Sequence, residues 1–349
     1  MKNIRDVDVE GKTVLVRADL NVPITEGKVT SDLRVRASVP TLEYLQKQGA
    51  KVVVMSHLGR PEGKKVPEMS LKPVAEALSK YLEKVSFAPE ITGAEVKKVA
   101  EKMTPGQILV LENLRFDPRE EGNSEEFARE IVEATGAEVL VQDGFAVVHR
   151  AHASTEVIAR ILPAYAGFLV EREVGELSKV MEKPEKPFVL VIGGAKVEDK
   201  QPLIDKFLGR VDKILVGGKI AADGYKAMDA KIYVAEDFDT DSEGARLDIG
   251  PLATAKFAEA LVDAKTVVWN GALGKVEDPA YDAASTIVAT VIGEKRDALS
   301  VVCGGDTTGF VEKLSETHPT LTYSLVSTGG GAALEFLLGK KLPGLEALE

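Results

Sequence analysis

The chain has 349 residues, of which only one is cysteine (Cys303), one is tryptophan and four are histidine (His57, His149, His152, His318). A single thiol rules out an intrachain disulfide framework and a cysteine-based metal cluster, and it fits a reducing compartment. No apolar run approaches the 18 residues of a membrane-spanning helix, and residues 1–6 carry no apolar signal core. A soluble, cytoplasmic protein is therefore expected. Positive charge is in deficit: 44 Lys+Arg stand against 55 Asp+Glu, for a net charge of −11. That argues against nucleic-acid binding driven by bulk charge. Neither G-x-x-x-x-G-K-[ST] nor a strict G-x-G-x-x-G occurs, so neither a P-loop ATPase nor a standard dinucleotide fold is indicated.

The composition is otherwise that of a folded protein, 44% hydrophobic and 28% charged. At about 150 residues per domain the length suggests two domains. Residues 1–155 carry 22 basic and 24 acidic side chains, including nine of the arginines, while five arginines follow. Arg suits bidentate contacts with phosphate and carboxylate, so the near-neutral first half can bind a small anion locally.

Short runs rich in Val, Leu and Ile predict buried strands at Thr13–Val16, Lys51–Met55, Ile108–Leu111 and Glu138–Val141. Amphipathic segments between them predict helices at Leu33–Gln48, Leu71–Val85, Glu95–Met103 and Ser124–Thr135. The alternation restarts after Pro184 and Pro187. Strands are then predicted at Phe188–Ile192, Lys213–Val216, Thr266–Trp269, Leu299–Val302 and Leu321–Val326, with helices such as Gln201–Leu208 and Pro251–Val262. Such alternation gives parallel βαβ units. The expected architecture is α/β: two doubly wound parallel-sheet domains facing a central cleft, joined by a helix over 167–181.

Ligands of open α/β sheets bind beyond the carboxyl ends of the strands. In the first half those ends read Arg17-Ala18-Asp19-Leu20-Asn21, Ser56-His57-Leu58-Gly59-Arg60, Glu112-Asn113-Leu114-Arg115 and Gln142-Asp143-Gly144…His149-Arg150. Four consecutive ends bearing basic or donor groups describe a pocket for a small, multiply anionic molecule. In the second half the ends are glycine-rich: Gly193-Gly194-Ala195-Lys196, Gly217-Gly218-Lys219, Asn270-Gly271-Ala272-Leu273-Gly274, Gly304-Gly305-Asp306-Thr307 and Ser327-Thr328-Gly329-Gly330-Gly331. Glycine permits close backbone approach, and a helix N-terminus offers free N–H groups to phosphate. A nucleotide-sized ligand is expected there. Asp306 reads either as a partner of Mg²⁺ or as a helix cap.

In order and over essentially the whole chain, these motifs resemble the phosphoglycerate kinase family. Further matching segments are Asp199-Lys200, Asp248-Ile249-Gly250-Pro251 and Val268-Trp269-Asn270-Gly271. The resemblance implies a glycolytic phosphotransferase with a carboxyl acceptor. It would move a phosphoryl group between 1,3-bisphosphoglycerate and ADP, with Mg²⁺, giving 3-phosphoglycerate and ATP. Implied partners are these small molecules alone, without nucleic acid or membrane, and the implied state is a monomer. By resemblance, Asp19, Asn21, Arg34, His57, Leu58, Gly59, Arg60, Arg115 and Arg150 hold the glycerate and its phosphate. Gly194, Ala195, Lys196, Lys200, Gly217, Gly274 and Glu277 meet the nucleotide. Gly304, Gly305, Asp306 and Thr307 surround its phosphates, with Asp306 on the Mg²⁺ side. The chain from about Ala332 would return to the first domain. The implied domains are thus 1–166 with 332–349, and 182–331.

The chemistry of the residues agrees. The acceptor carboxylate is already ionised at neutral pH, so no general base is required. Transfer needs alignment and charge neutralisation, for which Arg34, Lys196 and the N–H groups around Gly330 are candidates. Two substrates held on separate domains imply closure. Against the family pattern, the segment between Gly218 and Asp248 is short, Lys219 stands where a small residue is usual, and Ala272, Cys303 and Leu325 replace the usual Pro, Gly and His. Two rival readings remain: a non-catalytic nucleotide- or anion-binding protein on the same fold, and an NAD-type oxidoreductase, which lacks its fingerprint.

Overall fold

The structure, a computed structural model, describes residues 1–349. Its central strands are the apolar runs of the sequence, buried on both sides. In the first half the strands are β1 (Thr13–Arg17), β2 (Lys51–Met55), β3 (Val85–Phe87), β4 (Ile108–Val110), β5 (Val139–Gln142) and β6 (Ala164–Ala166). They form a parallel sheet in the order β3-β4-β2-β1-β5-β6. Side chains alternate between two cores. Val14, Val16, Val52 and Val54 pack with Leu42, Leu45, Val74 and Leu78 on one face. Leu15, Val53 and Leu109 pack with Val96, Phe127 and Ile131 on the other. With helices covering both faces, the strands carry continuous apolar runs rather than alternation.

The second half repeats the design with β7 (Phe188–Ile192), β8 (Lys213–Val216), β9 (Ile232–Val234), β10 (Thr266–Asn270), β11 (Leu299–Cys303) and β12 (Leu325–Val326). Their order, β9-β8-β7-β10-β11-β12, is that of a doubly wound nucleotide-binding sheet. The chain falls into two compact units, Met1–Arg172 with Lys341–Glu349, and Glu173–Lys340. The helix Phe168–Glu182 runs from one to the other. Two antiparallel ribbons add to the sheets: Ile24–Thr25 with Lys28–Val29, and Phe238–Thr240 with Arg246–Ile249.

Three expectations from the sequence need correction. The helix expected over Leu71–Val85 ends at Leu78, and Val85–Phe87 is the edge strand β3. Lys84 takes φ +55, a left-handed conformation that no helix continues through. The strand expected from Leu321 shrinks to Leu325–Val326, because Ser324 N donates to the Ser300 hydroxyl and Ser300 N to the Ser324 hydroxyl, in place of ladder bonds. The edge strands β6 and β9 escaped the sequence reading. Each is three residues long and only partly buried, so neither leaves an apolar run.

A basic pocket and a glycine-lined cavity, one in each unit

The first pocket begins with a buried arginine. Arg17 ends β1 and is only 1% exposed. Its Nε donates to Ser154 Oγ at 2.7 Å and its Nη1 to Ala18 O. Ser154 Oγ in turn donates to Glu120 Oε1 at 2.6 Å, and Ser154 N to Glu120 Oε2 at 3.1 Å. Burial pushes the Glu120 carboxyl up, while the Arg17 charge and the two Ser154 bonds pull it down. A fully buried carboxylate thus sits one hydroxyl away from a fully buried guanidinium. Arg17 was not among the contact residues inferred above; its only sequence signal is a charge closing an otherwise apolar strand.

Arg17 also fixes a histidine. Its Nη2 lies 3.2 Å from His57 Nδ1. A guanidinium can only donate, so Nδ1 accepts and the ring proton sits on Nε2. Burial, and after it the charges of Arg17, Arg115, Arg34 and Arg150, hold His57 well below the usual histidine range. His57 is therefore a neutral donor through Nε2. His152 is likewise pushed down to about 4 by burial and the charges of Arg17, Arg115 and Arg150.

Around these two, Asp19 is buried and ion-paired with Arg34 at the start of the helix Leu33–Lys47. Asn21 Oδ1 accepts from Gly59 N at 2.9 Å, and Arg115 Nη1 donates to Gly59 O at 2.8 Å. Gly59 is left-handed at φ +63, which lets the turn after β2 serve both partners. Arg150 Nε is bonded to His149 Nε2 at 3.2 Å, and Arg60 is exposed beside Arg115. Leu58 belongs to the core rather than to the pocket. Its side chain is buried and its backbone N–H and C=O both bond Asn113. Five guanidinium groups face the carboxylates of Asp19, Glu120 and Glu121; burial lowers Arg17 and Arg115, and the neighbouring arginines add to that while the carboxylates oppose it. The pocket has a surplus of positive charge that a polyanion would neutralise.

The second unit encloses a cavity of about 510 Å³ at the carboxyl edge of its sheet. Gly194, Ala195, Lys196, Lys200, Gly274, Glu277, Gly304, Gly305, Asp306 and Thr307 line it, as do Asp199, Lys219, Arg246 and Lys275. Lys196 immediately precedes the helix Val197–Leu208 and is exposed; Lys200, one turn on, donates to Asn270 Oδ1. Burial pulls the Lys200 ammonium down. Burial pushes the neighbouring Cys303 thiol up to about 11, so it stays protonated, 3.1 Å from Asn270 Nδ2. Thr307 Oγ1 accepts from Gly271 N at 3.1 Å, joining the ends of β10 and β11.

Two of the glycines here make room for backbone. A Cβ on Gly193 would lie 2.2 Å from Ala272 O, and one on Gly271 would lie 2.2 Å from Gly193 O. These two allow β7 and β10 to converge at the point where the strand order reverses. Gly217 packs under Leu273 and does not line the cavity. Gly304 and Gly305 are different: a side chain there meets no backbone within 3.4 Å, and the helix Gly305–Thr317 begins between them. Its first N–H groups open to the cavity, the arrangement that binds phosphate. Asp306 makes no side-chain cap and is exposed in that first turn, so the capping alternative fails. Gly330, at φ +51, precedes the helix Gly331–Leu337 in the same unit.

A doubly wound sheet with a glycine- and lysine-lined cavity at its carboxyl edge, in a chain whose other sheet carries an arginine-rich pocket, matches an enzyme that moves phosphoryl groups between a nucleotide and a small anionic acceptor. The family model described as Phosphoglycerate kinase matches residues 4–237 and 226–340. A phosphoglycerate kinase of Thermus thermophilus is 41% identical over 395 residues, covering 100% of both chains. One of Moorella thermoacetica is 40% identical over 391 residues, covering 99% of this chain and 98% of the relative. The crystal structure of phosphoglycerate kinase from Pyrococcus horikoshii superposes with a TM-score of 0.87 at 29% identity, covering 100% of this chain and 98% of that one. That of Coxiella burnetii gives 0.80 at 35% identity, covering 99% and 98%. The chain belongs to the phosphoglycerate kinase family, and it is a kinase. The alignment to the Thermus relative exceeds the length of this chain by several dozen positions. The family model breaks at 226–237, inside the segment that the sequence marks as short.

Proposed function

We propose that the chain transfers a phosphoryl group reversibly between 1,3-bisphosphoglycerate and ADP, and that each substrate has its own unit. The observation that carries this reading is the pairing of an arginine pocket in one unit with a lysine- and glycine-lined cavity in the other. The 3-phosphoglycerate phosphate takes donors of exposed Arg60, half-buried Arg150 and buried Arg115, with His57 Nε2–H as a neutral donor. Asp19 and Asn21 orient the glycerate, and Asp19 holds Arg34 ready beside it. The nucleotide phosphates take the first N–H groups of the helix Gly305–Thr317, with Lys196 and Lys200.

The acceptor carboxylate is a nucleophile without deprotonation, so the residues need only align it and neutralise the moving charge. Arg34, Lys196 and the N–H groups at Gly330 serve that purpose. No three carboxylate, histidine or cysteine side chains converge on a metal site. One exposed carboxylate, Asp306, does stand at the phosphate end of the cavity. This donor set fits Mg²⁺ carried by the nucleotide, which keeps water and phosphate ligands and takes one or two from protein; bound there, it would supply charge neutralisation. No helix is long and apolar enough to cross a membrane, and we assign the chain to the cytoplasm as a monomer.

A coupled assay with 3-phosphoglycerate and Mg-ATP tests the reading. Turnover that needs both substrates and Mg²⁺ is expected. Nucleotide binding without transfer would establish the non-catalytic alternative.

A further inference from the structure

The cavity of the second unit has two unlike ends. One is the phosphate end, at Gly304–Thr307 after β11. The other lies after β8, three strands away along the sheet edge, or about 14 Å at the usual strand spacing. That outer end is built from the shortened segment. It consists of the five-residue helix Gly218–Ala222, which carries Lys219, and the ribbon strand Arg246–Ile249, tied to the loop after β10 by Lys275 N donating to Leu247 O at 2.8 Å. A nucleotide whose phosphates occupy the first end places its base at the second.

The outer end is rich in hydrogen-bond donors and poor in free acceptors. Lys219, Arg246 and Lys275 all line it, and no aromatic side chain does. The nearby acceptors already have donors: Ala222 O takes Arg246 Nη1 at 2.9 Å, Leu247 O takes Lys275 N, Ala272 O takes Gly194 N at 2.8 Å, and Asp223 takes Lys219 at 2.7 Å. Glu277 is the one carboxylate lining that side of the cavity, and the family resemblance gives it to the ribose. Arg246 is also held in place. Its guanidinium carbon lies 4.8 Å from the centre of the Phe238 ring, and one nitrogen is fixed by Ala222 O. The remaining N–H groups form a pre-oriented fork with no carboxylate to satisfy it.

A purine edge that matches such a fork presents two adjacent acceptors. Guanine and hypoxanthine do so through O6 and N7, whereas adenine offers N7 beside an amino donor. We propose that Arg246 is a specificity-determining residue that makes this kinase favour 6-oxopurine nucleotides over adenine nucleotides. The proposal rests on assigning the cavity to a nucleotide.

The test is calorimetric titration of the full chain with GDP, IDP and ADP, for the unaltered protein and for Arg246→Met and Arg246→Lys. Unfolding curves establish that each variant is folded. A bidentate arginine–purine pair discriminates by about tenfold or more. GDP and IDP should each bind about tenfold tighter than ADP, and Arg246→Met should abolish that difference by weakening GDP and IDP rather than ADP. Arg246→Lys should keep a part of it. A preference for GDP not shared by IDP would mean that the 2-amino group is read instead, and would overturn the proposal. So would a GDP-to-ADP ratio that Arg246→Met leaves unchanged. The ratio is read without turnover. A chain that fails to phosphorylate 3-phosphoglycerate would count against the kinase assignment, while the binding ratio still decides the role of Arg246.

Discussion

Replacing Arg17 by methionine isolates the buried charge beneath the basic pocket. Methionine has nearly the length of the arginine stem and no charge, so packing changes little while the guanidinium is lost. Glu120, fully buried, then keeps its two bonds from Ser154 and only the weaker attraction of Arg115. Removing one partner of a buried charge pair costs about 3–5 kcal/mol, because the other charge stays behind without compensation. The hydroxyl between the two carries the coupling here, so the lower part of that range is expected, about 3 kcal/mol. The sign with pH follows from the direction of the Glu120 shift. Its folded-state value is already raised by burial and rises further without Arg17. A raised carboxyl is harmless below its unfolded value and destabilises as pH climbs through the folded one. The loss in Arg17→Met should thus be largest at neutral pH and shrink toward pH 5. The double variant Arg17→Met/Glu120→Gln keeps the Ser154 bonds without the charge and should recover about half of the loss. Urea unfolding at pH 7.5 and pH 5, read as midpoint shifts at constant slope, measures all three proteins. If the double variant is no more stable than Arg17→Met, the charge pairing is not what holds this region together.

Arg34→Ala should lower turnover about a hundredfold, as loss of a donor to developing charge does, with little change in nucleotide affinity. Steady-state kinetics within threefold of the unaltered enzyme would remove Arg34 from the transfer step. Asp306→Asn should weaken Mg-nucleotide binding severalfold and leave 3-phosphoglycerate binding intact, since Asp306 caps no helix; separate titrations of the two ligands check this. Asp143 is buried, accepts from Thr41 Oγ1 at 2.9 Å and Leu169 N at 3.0 Å, and is pushed up to about 7 by burial. Asp143→Asn keeps those bonds. It should gain stability over the unaltered chain as pH rises from about 4 to 7, on the order of 1–3 kcal/mol, and the gain should level off above that. Thermal melting across pH 4–8 reads the difference, and a gain that falls with rising pH would refute the sign.

The sequence by itself determined the two βαβ series, because strands buried on both faces must be continuous apolar runs, and Phe188–Ile192, Lys213–Val216 and Pro251–Val262 were legible to the residue. It also marked where polar residues gather, since those closing apolar strands have few other places to go than the carboxyl edge. Only the tertiary structure decided which of those residues line an open cavity. Gly193 and Gly217 look like Gly304 and Gly305 in the sequence, yet a side chain on either would run into Ala272 or Leu273, and neither lines the cavity. Leu58 sits in a site motif but belongs to the core, and Arg17, whose charge reads as one of many, is the buried support of His57. Such distinctions depend on distances between strands far apart in the chain. Local pattern records a residue's own preferences, and only packing shows which neighbour it must touch.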